Sequence, residues 1–294
     1  MNSKSILSRV AAAPISWGIC EVPGWGFQMS PDRVLGEMKE LGFSHTELGS
    51  AGWLPSEPDA ITQQLATHNM NLLGAFIPLV LHDQTQAETA RAEIAAAAKL
   101  LQTSGATHFI GAPVMSADWG EREPLSDEQW DHMVMMLDVV DQVCEGHSLQ
   151  HVLHEHHGIV IETKDDIERL LETSNVNLVL DTGHLAIGGF DPAEFAANHS
   201  DRVGLVHLKD AKLDVIDRLN AGEITLMEAV ESSIFTPLGQ GDLPIKETIL
   251  SMEESGYDGF YVLEQDCVIR GAEPAVGKGA ITEVAKSLAF IDAI

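Results

Sequence analysis

Basic side chains are scarce in this 294-residue chain: 17 Lys and Arg stand against 45 Asp and Glu, a formal net charge of −28 at pH 7. A field of that sign repels phosphate backbones and anionic bilayers, so neither nucleic acid nor membrane is an expected partner. It favours a divalent cation. Cysteine is scarce too. Cys20, Cys144 and Cys267 are far apart, and no CxxC pair exists. A disulfide framework is therefore not expected, and free thiols in a reducing, cytoplasmic setting are. No apolar run approaches the ~18 residues that span a bilayer. The stretch "VAAAPISWG" near the N-terminus is short and broken at Pro14, which does not read as a signal segment. Low-complexity linkers and abrupt shifts of composition are absent, so the whole of 1–294 reads as one domain.

Apolar residues make up 45% of the chain and charged residues 21%, an ordinary globular balance. Short β-like runs alternate with helical patterns. "VAAAPISW" (10–17), "FSHTELG" (43–49), "NLLGAFIP" (71–78), "THFIGAP" (107–113), "LQHVLHE" (149–155), "VNLVLDTGH" (176–184), "RVGLVHLKDA" (202–211) and "GFYVLEQD" (259–266) each precede a helical stretch. The runs are continuously apolar rather than alternating, as in parallel strands covered on both faces. Eight such units predict an α/β fold, a closed (β/α)8 TIM barrel. An open doubly wound sheet is the competing arrangement, and the lack of a Gly-rich phosphate loop after the first strand weighs against it. Ser30-Pro31, Ser126-Asp127 and Asp191-Pro192 read as helix N-caps followed by a first-turn residue.

Charged residues fall at the ends of these strands. Glu47 ends strand 2, His154 and His156 end strand 5, Asp181 ends strand 6, His207 ends strand 7 and Glu264 ends strand 8. In a barrel of this kind those ends share one mouth. Several carboxylates gathered there repel one another unless a cation sits among them. Each has an ordinary reading: Asp181 as a helix cap, Glu264 paired with a lysine, His207 as a satisfied core histidine. Three independent strands producing the pattern together favour a metal. Carboxylate and imidazole donors without cysteine suit Mn²⁺, Co²⁺, Fe²⁺, Zn²⁺ or Mg²⁺ acting as a Lewis acid rather than a structural zinc. In "QHVLHEHHG", period-2 alternation puts His154 and His156 on one face and turns Glu155 away, while His151 and His157 are expected in solvent.

The segments "LVLDTGH", "VHLKDA" and "YVLEQD" resemble the xylose-isomerase-like superfamily of TIM barrels along nearly the whole chain. Within it, "LHEHHG", "LDTGHL", "FTPLGQGD" and "PISW" are similar to the inosose dehydratase (2-keto-myo-inositol dehydratase) family. The resemblance implies that Asp181, His207 and Glu264 are metal ligands, with manganese or cobalt the first choices. Many members place a glutamate at the strand-5 position where His154 stands here, so the fourth ligand is His154, a water or Glu155.

The same resemblance implies an enzyme acting on a small polyol or keto-sugar. The expected activity is a lyase that removes a proton beside the ketone, stabilises an enolate and expels water. His154, His156 or Glu47 is the base, His184 an acid or base, and Lys209 a neutraliser of developing charge. Asp210, one residue on, faces the other way and orients a neighbour. Trp17, Trp25 and Phe76 are placed at the mouth, with Trp17 and Phe76 as a substrate wall. "GQGD" (239–242) reads as a tight turn. An isomerase or epimerase using the same enolate is the alternative; a non-enzymatic binding barrel and a DNA-repair endonuclease are further readings, the last opposed by the net charge. The segment 212–238 is longer than an ordinary βα loop and is expected to pack over the mouth as a lid or to join a homo-oligomeric contact.

Overall fold

The computed structural model describes residues 5–294. Its strands are β1 Val10–Ala12, β2 His45–Thr46, β3 Asn71–Leu72, β4 Phe76–Leu79, β5 His108–Pro113, β6 Gln150–Leu153, β7 Leu178–Asp181, β8 Val203–Leu208, β9 Asp210–Ala211, β10 Phe235–Thr236 and β11 Tyr261–Leu263. Its α-helices are α1 Pro31–Glu40, α2 Pro58–Thr67, α3 Ala87–Thr103, α4 Asp127–Gly146, α5 Lys164–Thr173, α6 Thr182–Ile187, α7 Pro192–His199, α8 Leu213–Asn220, α9 Leu226–Glu231, α10 Ile245–Ser255 and α11 Ala280–Asp292.

Nine strands form one parallel sheet in the order β3-β2-β1-β11-β8-β7-β6-β5-β4. Its two ends are halves of one interrupted strand, and that closes the ring. Leu73 donates its N–H to Thr46 O on one side (2.8 Å) and its carbonyl accepts from His108 N–H on the other (2.9 Å). The interruption falls at Gly74, where a Cβ would lie 2.7 Å from His108 O, so only glycine admits this approach. The result is the eight-stave (β/α)8 barrel rather than an open doubly wound sheet.

Several strands are shorter than the apolar runs suggest. The first ends at Ala12 because Pro14 has no N–H to donate, and Pro14–Trp17 winds into a 3₁₀ turn closed by left-handed Gly18. The predicted caps are in place. Ser30 accepts from Arg33 N–H, Ser126 forms a capping box with Gln129, and Asp191 accepts from the Ala193 and Glu194 amides. Each such cap contributes about 1 kcal/mol.

Strand parity sorts the core. Ala11, Ala13, Leu73, Ile110, Val152, Val179, Leu205 and Val262 fill the barrel interior. Their neighbours Leu153, Leu178, Leu180, Val206, Leu208 and Leu263 face the helices. Counting by two from the interior set toward the strand ends reaches His154, Asp181, His207 and Glu264.

The long connection after β8 holds α8, α9 and the β9–β10 pair. It forms a separate apolar cluster, Phe235 among its residues, that packs on Trp25 and Ile187. No helix among the described residues is long and apolar enough to cross a membrane.

Candidate metal centre

His154, Asp181, His207 and Glu264 each offer a donor atom at the mouth, and the four atoms lie within 4.8 Å of one another. His154 Nε2 is 3.3 Å from His207 Nδ1, which is 2.7 Å from Glu264 Oε2. Asp181 Oδ2 is 3.7 Å from both imidazole nitrogens. Four ligands about 2.1 Å from a small divalent ion stand about 3.4 Å apart in a tetrahedron, so the spacing suits one.

Hydrogen bonding aims the lone pairs inward. His154 donates Nδ1–H to Glu155 O (2.5 Å), which leaves Nε2 free to face the centre. His207 donates Nε2–H to Glu47 Oε1 (2.9 Å), which leaves Nδ1 facing it. Such outer partners fix the tautomer of a ligating histidine. Asp181 divides its work. Oδ1 caps α6 by accepting from the Gly183 and His184 amides (2.8 and 2.9 Å). Oδ2 is buried with no hydrogen-bond partner. The capping and ligating readings of Asp181 therefore hold together, one per oxygen, and an unpartnered buried carboxylate oxygen calls for a cation. His207 shows the same need. Burial works against its charge, but Glu47 and Glu264 outweigh burial and hold its pKa well above the ordinary imidazole value. His207 and Glu264, 2.7 Å apart, would both be available to hold an ion there.

Charge around these four residues is one-sided. Lys209, 1% exposed, places Nζ 3.0 Å from Asp266 Oδ1, 3.3 Å from Glu264 Oε2 and 3.6 Å from Asp181 Oδ2. Burial would pull its pKa down, but Asp181, Asp266 and Glu264 hold it above the ordinary lysine value, so it stays an ammonium. Three carboxylates thus face Lys209 and a fourth, Glu47, faces His207, so negative charge is in excess around the site. Lys209 is a buried charge balance and does not line the open cavity.

The remaining candidates are sorted by the fold. His156 lies beside His154 at a ring separation of 5.7 Å and lines the mouth. Burial and Lys209 push its pKa down to about 4, so it is neutral. Its Nδ1–H donates to His157 O (2.7 Å), which leaves Nε2 as an acceptor. His184 stacks behind it with centroids 3.8 Å apart, and its Nε2 accepts from Lys209 Nζ (3.1 Å). Burial and then His156 and Lys209 hold the His184 pKa well below the ordinary value. Glu47, one of the three candidate bases, does reach the cavity, but its Oε1 is committed to His207. Glu155 is turned from the histidine face, as alternation requires, although β6 itself ends at Leu153. It is buried, its Oε1 accepts from Asp181 N–H (3.0 Å), and burial beside Asp181 holds its pKa well above the ordinary carboxylate value. Asp210 accepts from the Ala211, Gly239, Gly241 and Leu243 amides and so builds the "GQGD" turn.

Three expectations are corrected. Trp17 is not at the mouth. The 3₁₀ turn that ends the first strand breaks its parity and rotates the indole outward into the core, where Nε1 donates to Glu37 Oε2 of α1 (2.9 Å). His151 is not solvated. It is 5% exposed beneath α4, with Nδ1 2.7 Å from Asp141 Oδ1. His157 is half-buried, 2.6 Å from Glu162 Oε1. Two residues escaped the sequence reading. Asp266 follows Glu264 by two, so the parity of "LEQD" could have found it. Trp119 stacks on Phe76 (5.6 Å, 14°) over a cavity of about 530 Å³; a tryptophan inside the loop "SADWGERE" was the available signal.

Comparisons with known proteins agree with this architecture. The family model described as Xylose isomerase-like TIM barrel matches residues 35–293. An inosose dehydratase of Geobacillus kaustophilus (strain HTA426) is 30% identical over 270 residues, covering 88% of this chain and 87% of that protein. The rhizopine catabolism protein MocC of Rhizobium meliloti is 29% identical over 269 residues, covering 88% of this chain and 81% of its own length. Among solved structures, the IOLI protein with a binding zinc atom superposes with a TM-score of 0.69 at 15% identity, over 97% of this chain and 96% of that one.

Proposed function

The chain belongs to the xylose isomerase-like TIM barrel family, and on that premise we propose that it is a metal-dependent dehydratase acting on a cyclic polyol ketone such as 2-keto-myo-inositol, in inositol catabolism. The observation that carries the reading is the convergence of four donors, one of them the buried Asp181 Oδ2, which accepts no hydrogen bond. The inosose dehydratase relative supports the choice of dehydration over other enolate chemistry.

His154, Asp181, His207 and Glu264 would hold a divalent ion, with manganese or cobalt the choices that the resemblance to inosose dehydratases favours. When bound, it supplies Lewis acidity toward a ketone oxygen and an adjacent hydroxyl. His156 is the proton acceptor the geometry favours. It is neutral, it lines the mouth, and its Nε2 is unclaimed by the protein. It removes the proton beside the ketone, and the C–H electron pair passes into the carbon framework. Loss of the β-hydroxyl then releases water once that oxygen gains a proton. His184 lies behind His156 with its Nε2 accepting from Lys209 Nζ and does not line the cavity, so it backs the His156 ring. The proton that His156 has taken is the one returned to the leaving hydroxyl. Lys209 acts from beneath, as positive charge opposing the carboxylates and the developing enolate. Glu47 orients His207.

The test uses chelator-treated protein resupplied with Mn²⁺ or Co²⁺ and given scyllo-inosose. Appearance of diketone absorbance only in the metal-resupplied sample is the expected result. Solvent deuterium entering recovered ketone with no diketone formed would make the enzyme an epimerase instead. No metal-dependent change of any kind would end the proposal.

A further inference from the structure

The mouth cavity is larger and less polar than a bare polyol ring requires. Its volume of about 530 Å³ falls inside the ~300–1,000 Å³ range of sites that enclose drug-sized ligands. Its floor is polar: His154, His156, His207, Glu47, Glu264 and Asp266. Its outer half is apolar. Ile15, Ile19 and Trp25 line one side with Leu226 of α9, and Phe76 and Trp119 line it as well.

Trp119 is displayed at a conformational cost. Its φ is +64°, a region that a bulky residue avoids. A small fixed loop imposes it. Trp119 N–H donates to Ser116 O (2.9 Å), and Gly120 N–H donates to Ser116 Oγ (2.9 Å). Arg122 then pins the loop to Asp166 (2.5 Å) and Glu162 (3.3 Å) on the neighbouring connection. The strained backbone holds the indole nearly parallel to the Phe76 ring, at 14°. A planar aromatic wall is thus built over one flank of the metal centre.

Charge narrows the ligand further. Among the described residues no lysine or arginine lines the cavity, whereas Glu21, Glu47, Glu264 and Asp266 do. Lys209 is enclosed and occupied by three carboxylates. Arg270, on the connection after β11, is paired with Glu231 and donates to Gly24 O (3.0 Å). A phosphate or carboxylate on the substrate would meet no complementary charge from the protein.

We infer that the preferred substrate is a neutral, two-part molecule: a polyol-ketone ring at the metal centre, ether-linked to an apolar, preferably aromatic group that lies against Trp119, Phe76 and Leu226. The orientation of the ring rests on the proposed function; the aromatic subsite does not. Stacking of this kind adds about tenfold in affinity.

The experiment is calorimetric titration of the purified protein, with and without Mn²⁺, against three unreactive probes: 4-nitrophenyl β-D-glucopyranoside, methyl β-D-glucopyranoside and glucose 6-phosphate. The aryl glucoside is expected to bind about tenfold more tightly than the methyl glucoside, and in the titration without Mn²⁺, where the phosphate has no ion to coordinate, the phosphate is expected to bind more weakly than either. Trp119→Ala is expected to lower aryl glucoside affinity about tenfold and methyl glucoside affinity much less, and Leu226→Gln, at a residue that also lines the cavity, to reduce the aryl preference. Equal affinity for aryl and methyl glucosides, a preference that survives both substitutions, or tighter binding of the phosphate without Mn²⁺ overturns the inference. Titration of Mn²⁺ alone into the same sample reads the metal centre separately: absent Mn²⁺ binding defeats the proposed function and leaves the aryl comparison intact.

Discussion

Glu47 and His207 are 160 residues apart in sequence and meet across the barrel mouth, with His207 Nε2 donating to Glu47 Oε1 at 2.9 Å. That one bond decides which nitrogen of His207 faces Asp181, Glu264 and His154. Replacing Glu47 by Ala frees the imidazole to rotate and to take the other tautomer. Mn²⁺ affinity, read by calorimetry, is expected to fall about 10–100-fold. Glu47→Gln keeps an acceptor oxygen and is expected to lose less. Equal losses for the two substitutions would show that Glu47 acts by charge and not by orientation.

The two oxygens of Asp181 can be separated experimentally. Asparagine caps a helix as well as aspartate does, so Asp181→Asn retains the α6 cap while removing the anionic ligand. Mn²⁺ binding should be lost with little change in thermal stability of the metal-free protein. Asp181→Ala removes both functions and should cost about 1 kcal/mol more in urea unfolding. Metal binding that survives in the Asn variant would remove Asp181 from the centre.

Among the described residues Lys209 is the sole ammonium set against three contacting carboxylates, and it is 1% exposed. Lys209→Met leaves those charges buried and uncompensated, a change that typically destabilises by about 3–5 kcal/mol. Adding Mn²⁺ to the variant should recover part of that loss, because the ion opposes the same charges. Unfolding midpoints measured with and without Mn²⁺ check both statements, and a variant as stable as the parent would contradict the charge-balance role.

His108 supplies a pH signature away from the metal ligands. It is 6% exposed inside the barrel, and burial pushes its pKa down to about 4. The unfolded chain takes up this proton near pH 6.5, and the folded chain does not until near pH 4. The stability His108 contributes is therefore full above pH 6.5 and is lost progressively as pH falls toward 4, on the order of 3 kcal/mol in total. Urea unfolding between pH 7.5 and pH 4.5 should show a shallower decline for His108→Gln than for the parent. Identical slopes would mean that the His108 ring takes up its proton without unfolding.

Much of this protein is determined by its sequence alone. The repeated pairing of an apolar strand with a capped helix specifies the barrel, because strands buried on both faces must be wholly apolar and helix starts must satisfy their free amides. Period-2 parity along "LVLD", "LVHL" and "YVLEQD" specifies which charged residues face the mouth, because a strand turns every second side chain the same way. Tertiary structure decided what parity cannot reach. A 3₁₀ turn at Pro14 sent Trp17 into the core. A packed helix buried His151. Three carboxylates from two other strands made Lys209 a buried counter-charge. A pinned loop brought Trp119 onto Phe76. In each case the outcome follows from how separate elements pack on one another, a relation that strand parity does not carry and that exists only once the barrel has closed.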